Sequence, residues 1–390
     1  MLIFNGTEIQ LNSRFSDVNA HRLLSQARPG LNVFLATGAE NEASWADFLL
    51  RVSAQLPTLR AVGLVPPSIY GPLALTHGNV PVLAVPEGLL REAAEARRRE
   101  EPIRLHLAWI ASSKGGMGKS TFSVLLANQW AARGMAVKVV DQDATSTLGT
   151  VLRSLTGSEA GSRLGLQAQG EVFLAEREPG KPERIFLCPP SRPESSAMDP
   201  RDRERMVLDA LLAAAVLLPG DRVVIDLPGD VGMAVERLEA VATMMEVTGA
   251  RLRRLDIYLF IQPQEELMRQ AFEAIRRIGR QAEEMLKRLC EDNPEAAKPD
   301  GPIARLTVLY PYNAGHQDIR HANRYLAAQP ELHQMAMQMG VFLASSPVGQ
   351  LPSQWKYWET VLDPKSTSLL RVDSIQTVPI QSIQEGGRGR

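Results

Sequence analysis

Residues Ser113–Thr121 read Ser-Lys-Gly-Gly-Met-Gly-Lys-Ser-Thr. They follow the apolar run LHLAWIA (105–111) and precede Ser120–Gly134, where apolar residues recur at helical spacing and a glycine closes the run. Strand, glycine loop, Lys-Ser-Thr and helix in this order make a phosphate-binding loop. The usual pattern is G-x-x-x-x-G-K-[ST], and here Ser113 stands where the first glycine would be. Gly115, Gly116 and Gly118 let the backbone curl so that its N–H groups converge on phosphate oxygens. The helix that follows turns its positive end to the same anion. Lys119 is placed to reach the β- and γ-phosphates and the Ser120 hydroxyl to ligate Mg²⁺. The expected ligand is therefore ATP with Mg²⁺, bound by Lys114, Gly115, Gly116, Met117, Gly118, Lys119, Ser120 and Thr121. A dinucleotide site does not fit, because the G-x-G-x-x-G spacing is absent.

Outward from the loop, further apolar runs alternate with helical stretches. MAVKVVD (135–141), Val223–Asp226, LDIYLFIQP (255–263) and IARLTVLY (303–310) read as strands, and Glu265–Cys290 as a long helix. That alternation predicts an α/β domain with a mostly parallel, doubly wound sheet over 103–370. Upstream, LNVFLAT (31–37), LRAVGLV (59–65) and VPVLAV (80–85), with a helical stretch over Glu42–Leu56, suggest a smaller α/β domain over 1–102. The charged stretch Glu87–Glu101 reads as a solvated helix linking the two. Segment 156–200 is rich in Gly, Pro, Ser and charge, with one candidate strand at 184–189. The last twenty residues, 371–390, read as a flexible tail.

Two carboxylate positions lie at strand ends, where ligands sit in such sheets. Asp141 and Asp143 are one residue apart, so both side chains can face one side. They either organise Mg²⁺ and the attacking water or cap an ordinary turn. Asp226 ends a buried apolar run, which is costly unless the carboxylate faces a partner such as a metal shell. It reads as the Walker B aspartate, with Pro228, Gly229 and Asp230 forming a loop near the γ-phosphate.

The second lysine in the loop carries a resemblance. Lys-Gly-Gly-x-Gly-Lys-[Ser/Thr] resembles the deviant Walker A box of the ParA/MinD family of ATPases. VVDQD at the next strand end and VVIDLPG at 223–229 extend the likeness, which covers roughly 105–360. The family implies that Lys114 reaches across a homodimer to the partner subunit's ATP, as an arginine finger does. It also implies that Asp143 positions the catalytic water and that the dimer separates after hydrolysis. Tyr310, where the family commonly has an adenine-reading asparagine, is expected to stack on the base or to be core, with Asn313 as the substitute reader. The usual Pro-Gln-Gly after Asp143 is missing, so the first switch loop is short.

The implied function is a dimerising switch ATPase that positions or partitions a cargo, either DNA or a large protein assembly, with an unidentified partner protein triggering hydrolysis. The alternatives are a slow or non-hydrolysing scaffold and an amidotransferase- or ligase-type enzyme of the same superfamily. The 43 Lys+Arg and 44 Asp+Glu nearly cancel, so nucleic-acid binding would need a local patch. Candidates are Arg251, Arg253 and Arg254, or Arg276, Arg277, Arg280, Lys287 and Arg288. Two cysteines, Cys188 and Cys290, make neither a disulfide framework nor a paired-cysteine metal site. No segment reads as a signal peptide or a bilayer span, and Pro379 interrupts any membrane-binding tail helix. The expected location is the cytoplasm.

Overall fold

The structure is a computed structural model that describes residues 2–4, 7–9, 31–36, 60–68, 82–178, 181–190, 199–289, 304–348, 356–363 and 375–385. The chain divides into two compact units. One comprises Met1–Ile103, Ala144–Gly220 and Thr243–Ala250. The other comprises Arg104–Asp143, Asp221–Ala242 and Arg251–Arg390.

The first unit holds a five-stranded sheet. β1 (Leu2–Phe4) and β2 (Thr7–Ile9) pair antiparallel, β1 also pairs antiparallel with β3 (Leu31–Ala36), and β3, β4 (Arg60–Val65) and β5 (Val82–Ala84) run parallel. The parallel strands are the three apolar runs read from sequence; the expected helix over Glu42–Leu56 lies outside the described residues. Helix Glu87–Arg98 differs from expectation. Leu89, Leu90, Ala93 and Ala94 are buried, and the helix packs on β3 and β4. Those four residues fall at i, i+1, i+4 and i+5, which is one stripe of a helix, so a charge-rich sequence still presents a packed face.

Segment 156–200 also departs from its irregular reading. β8 (Leu166–Gln169), β9 (Val172–Glu178) and β10 (Lys181–Leu187) form an antiparallel meander. Helix Pro200–Leu217 follows, capped by the Asp199 carboxylate, which accepts from Arg201 N at 2.8 Å.

The second unit is built on β6 (Arg104–Ser112), β7 (Val137–Asp141), β11 (Arg222–Asp226), β12 (Arg251–Phe260), β13 (Ala304–Leu309) and β14 (Gly340–Ala344). All six run parallel, in the order β14-β13-β12-β6-β11-β7. Trp109, Ile110, Val139, Val224, Ile225 and Leu259 are buried, as strands covered on both faces require. Helix Lys119–Ala131 is buried at every position except Ser120, and Phe122 anchors it to Tyr258 and Phe260 of β12 with ring centroids 5.1 and 5.4 Å apart.

The described part of the tail is ordered into the fold. β15 (Thr377–Pro379) pairs antiparallel with β14, and helix Ile380–Glu385 buries Ile380. Pro379 ends an edge strand, where its missing N–H costs no ladder bond. Among the described residues, no helix is long and apolar enough to cross a membrane.

Candidate nucleotide site

Register places the site. Asp226 lies opposite Ile110 of β6 and Asp141 of β7, so three adjacent strands end together at their carboxyl edge. β6 runs directly into the loop, where Ser113 N donates to Phe260 O at 2.9 Å. Gly116 has φ 74° and Gly118 φ 85°, a left-handed conformation that strains any residue with a Cβ. Two such turns in succession form the concavity of backbone N–H groups that anions occupy. Lys114, Gly115 and Gly116 are exposed at the rim, whereas Met117 is buried, so its side chain belongs to the core. Lys119 is 8% exposed at the first position of the helix, and Thr121 is buried behind it.

Asp226 is the most telling group. It is 2% exposed, and neither carboxylate oxygen has a hydrogen-bond donor. Burial pushes its pKa up to about 6; Lys119 and the Ser120 and Ser123 hydroxyls pull it back down, and Asp143 adds to the rise. The two serines lie near enough to act on the carboxylate electrostatically without reaching hydrogen-bonding geometry, and Ser123 donates its proton to Lys119 O at 3.0 Å. A buried carboxylate with open lone pairs beside a lysine and a helix-end hydroxyl is chemically suited to the water shell of a hard divalent cation. The residues present therefore fit Mg²⁺, which Ser120 and Asp226 would hold.

The neighbouring turn is built from its own carboxylate. Asp141 Oδ1 accepts from Asp143 N at 3.0 Å, and Gln142 N donates to Asp226 O at 2.9 Å. Asp143 is half-buried beside Asp226, and helix Thr147–Leu155 begins only four residues later, capped by Ser146. On the far side, Asp230 Oδ1 accepts from Met233 N at 2.9 Å and starts helix Val231–Thr248, while Met233 is 48% exposed.

The structure brings Lys114, Lys119, Ser120, Asp141, Asp143 and Asp226 to one strand edge. It does not offer Tyr310 as a stacking surface. Tyr310 is fully buried, its hydroxyl donates to Asn323 Oδ1 at 2.6 Å, and Asn323 Nδ2 donates to Ala344 O at 2.9 Å. Its ring is core. Asn313 is exposed in the turn that follows, next to Tyr312, which is 50% exposed.

Arg251, Arg253 and Arg254 lie at the amino end of β12, the opposite edge of the sheet, where Arg253 pairs with Asp221 and Arg254 with Asp256. On helix Met268–Leu289, Arg276 pairs with Glu273 and Arg288 with Glu239, while Arg277, Arg280 and Lys287 are exposed. Sequence reading missed Ser112 and Ser123, since neither belongs to the loop pattern; the signal for Ser123 was its place one turn after Ser120.

This geometry defines a phosphate-binding-loop nucleotide domain. Residues 108–299 match the model of the CobQ/CobB/MinD/ParA nucleotide binding domain, so this stretch is a nucleotide-binding domain of that kind. Among solved structures, it resembles a plasmid partition protein from Borrelia burgdorferi, at 11% identity over 67% of this chain and 97% of that one, with a TM-score of 0.35. It also resembles the septum site-determining protein MinD of Pyrococcus horikoshii, solved with Mg-ADP, at 14% identity over 73% and 96%, with a TM-score of 0.36. A single-residue variant of McdA from Cyanothece, solved with ATP, is 13% identical over 72% and 95%, with a TM-score of 0.35. No curated protein matches the chain.

Proposed function

We propose that the protein is an ATP-dependent dimerising switch in the cytoplasm that positions or partitions a cargo and hydrolyses ATP slowly until a partner protein stimulates it. The observation that supports this most is the uncompensated Asp226 carboxylate beside Lys119 and Ser120, in a loop whose second lysine, Lys114, is exposed. Lys119 holds the β- and γ-phosphates, and Gly115–Thr121 cradles the triphosphate with its amides. Ser120, Asp226 and Asp141 would hold Mg²⁺, which would supply charge neutralisation on the phosphates. Asp143 orients the attacking water. Lys114 extends to the partner subunit's ATP, so that the complete site exists only in the homodimer. Asn313 is the candidate base reader.

Size-exclusion chromatography with and without Mg-ATP tests the proposal. Wild type should shift to a dimer, Asp143→Ala should remain trapped as an ATP-bound dimer, and Lys119→Ala should stay monomeric for want of nucleotide. Lys114→Ala should bind ATP without productive pairing. A wild type that stays monomeric under saturating ATP contradicts the switch. DNA retardation across a salt series then separates a DNA cargo, whose affinity falls steeply with salt, from a protein cargo.

One observation favours a slower second reading. Only three residues separate Asp143 from helix Thr147–Leu155, so the loop that would close over the γ-phosphate is short. A scaffold that binds ATP with no turnover, even with its partner present, would fit that loop.

A further inference from the structure

Lys114 is exposed and its side chain has long reach, yet its backbone is held on two sides. Ser112, the last residue of β6 and fully buried, donates its hydroxyl proton to Lys114 O at 2.7 Å. Gly229, in the loop after Asp226, lies directly against the next residue. A Cβ built on Gly229 would stand 3.0 Å from Gly115 Cα, 3.1 Å from Gly115 N and 3.6 Å from the Lys114 carbonyl carbon. Gly229 has no left-handed φ, so close approach rather than backbone strain is what favours glycine there. The same loop continues into Asp230, which caps helix Val231–Thr248. One face of the Lys114–Gly115 peptide is therefore pinned to β6, and another rests on the loop that leaves Asp226.

We infer that Ser112 and Gly229 are positioning residues for Lys114, setting the path on which it leaves its own subunit and coupling that path to the loop beside Asp226. The inference rests on the proposed role of Lys114 across the dimer. A buried hydroxyl-to-carbonyl bond fixes where the chain turns, and a hydrogen bond of this kind is worth about one order of magnitude in an equilibrium. Backbone-to-backbone contact at Gly229 leaves no side chain to give way, so any movement of that loop is passed to Gly115. Ser112 acts on the Lys114 carbonyl, whereas Gly229 rests on Gly115, the first residue of the cradle, so Ser112 is the position that separates the path of Lys114 from nucleotide capture.

The test compares Ser112→Ala, Gly229→Ala and Lys114→Ala, each alone, and Ser112→Ala and Gly229→Ala each combined with Lys114→Ala. Affinity for a fluorescent ATP analogue is read at a protein concentration where the chain is monomeric. Dimer formation and kcat are read at saturating Mg-ATP. Ser112→Ala should keep affinity within about twofold, and Ser112→Ala and Gly229→Ala should each lower kcat and dimer yield about tenfold and change nothing further once Lys114 is alanine. Loss of affinity in step with kcat for Ser112→Ala, or additive loss of either variant in the Lys114→Ala background, would overturn the inference by showing a merely structural role. If Lys114→Ala is impaired while Ser112→Ala and Gly229→Ala are not, the inference alone falls. If Lys114→Ala behaves as wild type, the underlying reading falls with it. Should Ser112→Ala fail to fold, Gly229→Ala carries the comparison.

Discussion

Asp226 is a carboxylate held where burial opposes its charge. Burial raises its pKa from 3.8 to about 6, so the folded protein keeps this proton where the unfolded chain has released it. The stability this supplies is complete below pH 4 and is lost as pH rises through 6. Asp226→Asn, neutral at every pH, is therefore expected to raise the unfolding free energy of the nucleotide-free protein above pH 6, by on the order of 1–3 kcal/mol, and to leave it little changed near pH 4. Calorimetry across pH 4–8 checks this, and a variant less stable than wild type at pH 7 would contradict it. Tyr310 gives the converse case. Tyr310→Phe should cost about 1–2 kcal/mol by stranding the Asn323 carbonyl, with no change in ATP affinity, as paired unfolding and binding measurements would read. Sequence supplied Lys119, Ser120, Asp141, Asp143 and Asp226 because each sits at a fixed offset from a strand end. It could not place Tyr310, since its burial depends on Asn323, thirteen residues away on another element.

At the scale of elements, β6, the glycine loop and helix Lys119–Ala131 form the unit that makes the site. Gly118 enters that helix at φ 85°. Gly118→Ala forces a Cβ into the left-handed region at a cost of about 1–2 kcal/mol, and should weaken ATP binding at least tenfold while the fold persists by circular dichroism. β6, β7, β11, β12 and β13 were legible because each is an apolar run covered on both faces; β14 was not read from the sequence. Edge elements were not. β15 is three residues long, too short to show a period of two, and a Pro-containing tail reads as loose until β14 supplies its partner. Ile380→Ala should nonetheless cost about 2–4 kcal/mol in denaturant unfolding, because Ile380 is fully buried. Indifference to that substitution would show that the tail contributes little to the fold.

For the whole molecule, two compact units interleave along the chain, since Ala144–Gly220 and Thr243–Ala250 belong with the N-terminal residues. No local periodicity announces which distant segments share a core, so this partition lay beyond sequence reading. The charge balance, 43 against 44, is likewise a property of the whole chain and leaves any polyanion contact to local faces such as Arg277, Arg280 and Lys287. In the proposed homodimer, each ATP would be served by Lys119 and Asp143 of its own subunit and by Lys114 of the other. Mixing two inactive variants, Lys114→Ala and Asp143→Ala, before adding Mg-ATP tests that claim most directly. In a mixed dimer one site regains every group, because the Lys114→Ala subunit keeps its own Asp143 and receives Lys114 from its partner. Only one of the two sites in a mixed dimer is complete, so turnover should reappear at no more than about a quarter of wild type, the value that fully random pairing would give. Recovery from two dead parents is the predicted result, and a mixture as inactive as either variant alone would contradict the shared site.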